Sequence, residues 1–227
     1  MYAITSEHPN KNLIGYLSGP VIRALSKDPV TQHYAMGGQV KGGLTTHLAR
    51  RYYPTYQRKK HKHRKGQVRA KKASSRKEGL AIMKQLMEFI SNGTKPRNAL
   101  AGAIVHHFRQ NNHSLQAAEV PVYIQSIDKV TQADLITEDA EGRLWMWEVK
   151  SGYNRVQKQG FMMSPLQTVP NRDHEHWELQ RHYTHVGLQE QGLALHKSHV
   201  LNVYLDKDKR VHVDQRPVAK WIKDLEK

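Results

Sequence analysis

Apolar and polar positions change their period along the chain, and the changes mark the elements. Residues 1–49 are broken by Gly, Ser and Pro and carry only weak periodicity. Within them, the glycine-rich run from Met36 to Gly43 reads as a flexible loop able to approach phosphate. It lacks the GxxxxGK[ST] order of a P-loop. Helical spacing begins at Ser75-Arg-Lys-Glu78, which spells a capping box, and continues through Leu80, Met83, Leu86, Met87 and Ile90. Asn92-Gly93 stops it. A second helix is expected from Pro96, with Leu100, Ile104 and Phe108 on one face, ending at Asn111-Asn112. The period then falls to two. Residues 120–125 and 129–137 read as strands, residues 138–142 as a turn ending in Gly142, and residues 143–150 as a third strand. A long helix fits 174–191. A hairpin fits 199–205 and 210–214, and Pro217 opens a last helix bearing Val218, Trp221, Ile222 and Leu225. Helices, a strand meander, then helix, hairpin and helix predict an α/β fold with a mixed central β-sheet flanked by helices.

Composition narrows the chemistry. The 227 residues suit one domain with an appended piece. Cysteine is absent, which excludes disulfide frameworks, thiolate metal sites and thiol nucleophiles. No apolar run approaches a membrane span and the N-terminus carries no apolar leader, so an intracellular, non-membrane protein is expected. Charge changes the picture most. There are 36 Lys+Arg against 20 Asp+Glu, for a net charge of +16. Residues 50–77 hold 13 of the basic residues and no acidic one, leaving 23 basic against 20 acidic elsewhere. The chain therefore divides into an N-terminal extension (1–49), a basic arm (50–77) and a nearly balanced core (78–227). Arg58, Lys59, Lys60, Lys62, Arg64, Lys65, Arg69, Lys71 and Lys72 are the candidate nucleic-acid-binding residues, with Tyr52, Tyr53 and Tyr56 available for stacking. The segment from Arg58 to Lys65 also fits a nuclear-import signal, so cytoplasm and nucleus are both open.

The candidate chemistry lies in Ala133-Asp134 and in Leu144-Trp-Met-Trp-Glu148-Val-Lys150-Ser-Gly152. Strand alternation puts Trp145, Trp147 and Val149 on one face and Leu144, Met146, Glu148 and Lys150 on the other. A carboxylate and an amine at the end of an apolar strand cost desolvation, which a fold accepts for a site or a satisfied ion pair. Asp134, on the preceding strand, can reach the same point. Two carboxylates with a lysine suit phosphodiester hydrolysis: oxygen donors select Mg²⁺ or Mn²⁺, and a lysine can orient water or offset developing charge. The fifteen histidines include no HExxH pairing and give no zinc signal.

The order Asp134, Glu148-Val-Lys150 resembles the PD-(D/E)XK nuclease superfamily, and the Lys150-Ser-Gly152 tail is similar to its RecB-like branch. Glu119, before Val120 and Pro121, is similar to the glutamate preceding the strand in lambda-type exonucleases. Trp177 to Tyr183, with Gln180, resembles the glutamine/tyrosine helix of the same enzymes. One position departs: the leading proline of the motif is Ala133. The resemblance covers about residues 74–215 and implies a restriction-endonuclease-like core. It further implies metal held by Asp134, Glu148, the Val149 carbonyl and Glu119, with Lys150 positioning the attacking water and Gln180 steadying the site.

The expected function is therefore a Mg²⁺-dependent (or Mn²⁺-dependent) DNA nuclease, exonucleolytic, acting in recombination, repair or genome processing. Two alternatives stand beside it. One is a structure-specific endonuclease of junction-resolvase or transposon-end type. The other is a non-catalytic nucleic-acid-binding component on a nuclease scaffold, which would need the arm but no carboxylates. The expected partner is DNA, duplex or single-stranded, with RNA not excluded; cleavage polarity and oligomeric state are not written in the sequence.

Overall fold

A computed structural model describes residues 2–28, 30–31, 33–54, 65–151, 160–206 and 208–225, with side chains for all of these except 65–76, 223 and 224. A six-stranded mixed sheet lies at its centre. Its strands are β1 (Ala3–Ile4), β5 (Ser114–Ile124), β6 (Lys129–Glu138), β7 (Leu144–Ser151), β8 (Lys197–Leu205) and β9 (Val211–Arg216), in that spatial order. Only β7 and β8 run parallel; the other neighbours are antiparallel. The parallel pair needs a crossover, and α6 (Asp173–Glu190) supplies its helix. The expected mixed sheet flanked by helices is what the chain forms.

Alternation along β7 divides the core in two. Leu144 and Met146 enter the layer built with α1 (Lys11–Leu17), α3 (Leu44–Tyr52) and α6. Trp147 enters the layer built with α4 (Lys65–Asn92) and α5 (Ala99–Gln110), while Trp145 packs on its margin. Trp145 and Trp147 stack at 6.0 Å between centroids. The β6–β7 turn is fixed by Asp139, whose Oδ1 accepts from Arg143 N at 2.9 Å and whose Oδ2 accepts from Trp145 Nε1 at 2.8 Å. Gly142 supplies the positive φ of 78° that this turn requires.

Residues 1–49, expected as an extension, are built into this core. Strand β1 pairs with β5, and Leu13, Tyr16, Leu44 and Leu48 are buried in the α6-side layer. Tyr16 Oη donates to Pro121 O at 2.7 Å. The glycine-rich run is not a loop but part of a three-stranded meander, β2 (Leu25–Lys27), β3 (Tyr34–Met36) and β4 (Gln39–Lys41), followed by α3. Strands of three residues are too short to show a period, which is why the sequence pattern misses them.

The capping box at Ser75 is also corrected. The helix begins at Lys65, so Ser75 and Glu78 lie in its interior. Lys, Arg, Gln and Ala are strong helix formers and carry the helix through the basic run. The second helix starts later than expected, at Ala99, where Asn98 Oδ1 accepts from Leu100 N at 2.8 Å and Ala101 N at 3.2 Å. The last segment is a short 3-10 stretch, Lys220–Asp224, rather than an α-helix. Among the described residues, no helix is long and apolar enough to cross a membrane.

Candidate active site at the ends of β6 and β7

The antiparallel β6–β7 ladder has its last residue pair at Leu135 and Trp147. One step further Asp134 stands opposite Glu148, and the side chain of Asp134 takes over from the ladder. Its Oδ2 accepts the Val149 N–H at 2.8 Å. Glu148, on the Met146 face, is fully buried. Its Oε1 is bound by Lys150 Nζ and its Oε2 has no donor, while the Glu148 and Asp134 carboxyl groups are close enough to share a proton when one of them is protonated. Lys150 Nζ also donates to Gln180 Oε1 at 3.3 Å, from the middle of α6. Asp134, Glu148, Lys150 and Gln180, four candidates from the sequence, thus meet at one point.

Glu119 approaches from β5. It sits between the pairs Ala118–Leu135 and Val120–Ala133, across from Asp134, with a left-handed φ of 56° that a residue with a β-carbon adopts at a cost. Gln132 Nε2 holds its carbonyl at 3.1 Å, and Lys27 Nζ in β2 donates to Gln132 Oε1 at 3.1 Å. The small meander therefore reaches the site. Lys27 also lies over the Tyr34 ring, 5.4 Å from its centroid.

The electrostatics follow from burial and crowding. Burial, then the charge of Asp134, push the Glu119 carboxyl up to about 7. Burial raises Asp134 above the usual carboxylate range, against the pull of Lys150 and the Val149 amide. Glu148 is raised by burial and by the Asp134 carboxylate beside it. Burial alone would lower Lys150, but Glu148, Asp134 and Glu119 outweigh it and hold the ammonium charged. Three carboxyl groups thus face two cations, Lys150 beside Asp134 and Glu148 and Lys27 on the Glu119 side, an arrangement short of positive charge.

That shortage is the test of whether a divalent metal fits. The donors are all oxygens, the set that suits Mg²⁺ or Mn²⁺, and Glu148 Oε2 is a buried acceptor with no hydrogen-bond donor. Among the described residues no three His, Asp or Glu side chains form a ready-made cage, and the Lys150 ammonium binds the other oxygen of Glu148. The residues that could hold a metal are Asp134 and Glu148, with Glu119 across from Asp134; Val149, the remaining candidate, donates its N–H to Asp134. Beside them lies a cavity of about 220 Å³ lined by Asp134, Lys150 and Ser151 on one side and by Gly79, Leu80 and Met83 of α4 on the other.

Of the arm residues, Arg58, Lys59, Lys60, Lys62 and Arg64 lie outside the described residues, as does Gly152. Lys65, Arg69, Lys71 and Lys72 fall within α4. Three arrangements go unread in the sequence. The Lys27–Gln132–Glu119 chain joins residues more than ninety positions apart. Tyr52 Oη meets Tyr183 Oη at 2.5 Å, tying α3 to the helix of Gln180. Glu178 and Arg181 form a buried ion pair at 3.0 Å that also reaches Ser198. The spacing of the last two along a helix was a usable hint, but nothing in the sequence marked them as buried. No protein-family model matches the chain, and the search of curated proteins finds no match either.

Proposed function

We propose that this chain is a metal-dependent deoxyribonuclease that hydrolyses phosphodiester bonds and works from DNA ends. The observation that carries the reading is the state of Glu148: fully buried, held by Lys150 through one oxygen and without a donor at the other, beside Asp134. An open acceptor alone does not mark a site, since Glu178 Oε1 of the buried Glu178–Arg181 pair is open too; what sets Glu148 apart is the second carboxyl group, Asp134, beside it. The exonucleolytic form of the reading rests on Glu119 and Gln180, the two features similar to lambda-type enzymes.

In this reading a bound Mg²⁺ lowers the pKa of a coordinated water and offsets charge on the phosphate. Asp134 and Glu148 hold it, and the Val149 N–H fixes the orientation of the Asp134 carboxylate. Lys150 donates hydrogen bonds to the attacking water or to the phosphate oxygens. Gln180, 3.3 Å from Nζ, limits where that ammonium can swing. The basic residues between 50 and 77 supply non-specific grip on the phosphate backbone.

The test is digestion of end-labelled linear, nicked and closed circular DNA with Mg²⁺. Wild type should degrade the linear form and spare the closed circle, while Glu148→Gln and Lys150→Ala should be inactive though folded. Digestion by Glu148→Gln at the wild-type rate would remove the nuclease assignment. Cutting of closed circles would leave the chemistry and replace the exonuclease by an endonuclease.

A further inference from the structure

The cavity beside Asp134 and Lys150 has α4 as its far wall, through Gly79, Leu80 and Met83. The helix lies close here: a β-carbon at position 79 would come within 3.2 Å of Ser151 Oγ. Residues three and four apart share a helix face. Followed towards the N-terminus at those intervals, the face carrying Met83, Leu80 and Gly79 passes through Arg76, Lys72, Arg69 and Lys65. Lys71 and Lys77 fall off it. No acidic residue interrupts the helix between 65 and 77. A row of four cationic positions thus runs into the wall of the cavity that Asp134 and Lys150 line. Leu80, a large apolar side chain left 62% exposed, stands at the junction.

We propose that this stripe of α4 is a rail for the phosphate backbone of a DNA strand, delivering one phosphodiester to the cavity. The proposal rests on reading the site as a nuclease, and adds what holds the strand and in which register. Along the helix axis, Lys65 to Met83 spans about 27 Å at 1.5 Å per residue. With about 3.4 Å per nucleotide, that length matches roughly eight nucleotides. Position 76, the cationic position nearest the cavity on this stripe, falls next to the reacting phosphate. Charge complementarity selects the occupant: a row of Arg and Lys positions at regular intervals along one helix face meets a polymer with one negative charge per repeat.

The stripe makes a register-specific claim, so charge-matched pairs test it. Arg69→Gln with Lys72→Gln removes two cations on the stripe; Lys84→Gln with Lys95→Gln removes two exposed cations off the stripe, on and just beyond the same helix. Gln keeps helix propensity at the helical positions. Full-length proteins are titrated with a fluorescent single-stranded oligonucleotide in EDTA across a series of salt concentrations. The on-stripe pair should weaken binding and flatten the plot of log K against log salt by about 1.4, at about 0.7 per lost single-strand phosphate contact. The off-stripe pair should leave the slope at the wild-type value. Equal loss in the two pairs, loss confined to the off-stripe pair, or no loss in either overturns the rail. Mg²⁺-dependent digestion is measured in parallel. If wild type digests DNA and Glu148→Gln does not, while the two pairs behave alike, the rail falls and the nuclease reading stands. If the on-stripe pair alone loses binding and wild type digests nothing, the nuclease reading falls and the rail stands as a binding surface.

Discussion

Lys150→Met separates an ion pair that stabilises the fold from a site that performs chemistry. The substitution keeps an unbranched side chain and removes the ammonium from between carboxyl groups that burial and crowding already hold high. Removing one partner of a buried ion pair costs about 3–5 kcal/mol. Lys150 keeps 20% of its side-chain exposure while Glu148 has none, so the lower end, about 3 kcal/mol, applies. For a chain of this size that is a fall in Tm of about 6–12 °C, measured by circular dichroism in EDTA at pH 8. The sign with pH follows from linkage. The folded carboxyl groups have raised pKa values, so in the window between their unfolded and folded values the folded state binds more protons. Stability is therefore lost as pH rises through that window and regained on acidification. At pH 5 the variant should lie close to wild type. Glu148→Gln combined with Lys150→Met should recover part of the loss at pH 8, because one of the carboxyl groups left without the ammonium is removed while Asp134 remains, and should still digest no DNA. Added Mg²⁺ should raise the Tm of the Lys150→Met single variant by mass action on the folded state. A penalty equal at pH 5 and pH 8 would refute the charge argument, and a double variant that digests DNA would refute the catalytic one.

Other parts of the fold give independent checks. Gly187 of α6 packs so close to β5 that a β-carbon there would come within 2.7 Å of both Val122 Cγ1 and Ile124 Cγ1. Gly187→Ala should therefore cost about 1–2 kcal/mol in denaturant unfolding, the overpacking penalty of about 1–3 exceeding the helix gain of up to about 1. His182 is held at about 4, mainly by burial and then by Arg181. Its unfolded form takes up a proton first, so stability present near pH 7 should be lost as pH falls from about 6.5 towards 4, by up to about 3 kcal/mol. His182→Gln should flatten that part of the stability–pH curve. Tyr52→Phe removes the Tyr52–Tyr183 hydrogen bond and should lower unfolding free energy by about 0.5–1.5 kcal/mol.

The candidate site was legible because its parts are local and periodic. Asp134 and Glu148 lie on neighbouring strands joined by a turn that Gly142 and Asp139 announce, and alternation alone puts Glu148 and Lys150 on the Met146 face. Gln180 was legible as a position on a long helix, though its contact with Lys150 was not. What escaped has no period to read. The meander of β2, β3 and β4 is made of three-residue strands, and β1 of two. Helical propensity through the basic run overrides the local grammar of Ser75-Arg-Lys-Glu78, so a genuine capping motif became helix interior. The left-handed backbone at Glu119 falls between two pairs of β5 and β6 in unbroken register, and a glutamate carries no hint of it. The burial of the Glu178–Arg181 pair depends on β8, a separate strand whose Ser198 meets Arg181.

The pairing of β1 with β5, and of Tyr52 with Tyr183, sets an order of assembly on the ribosome. The first fifty or so residues emerge before any surface they pack on exists. The strand that receives β1 begins at Ser114, and the tyrosine that meets Tyr52 follows 131 residues later. The β6–β7 hairpin, by contrast, closes over a short turn and brings Asp134 to Glu148 soon after both are made. The wall that carries Lys27 finds its partner Gln132 on β6, made before Glu148, whereas Tyr52 must wait for α6. Synthesis thus completes both strands of the acidic pair before the helix that closes the Gln180 side of the core exists.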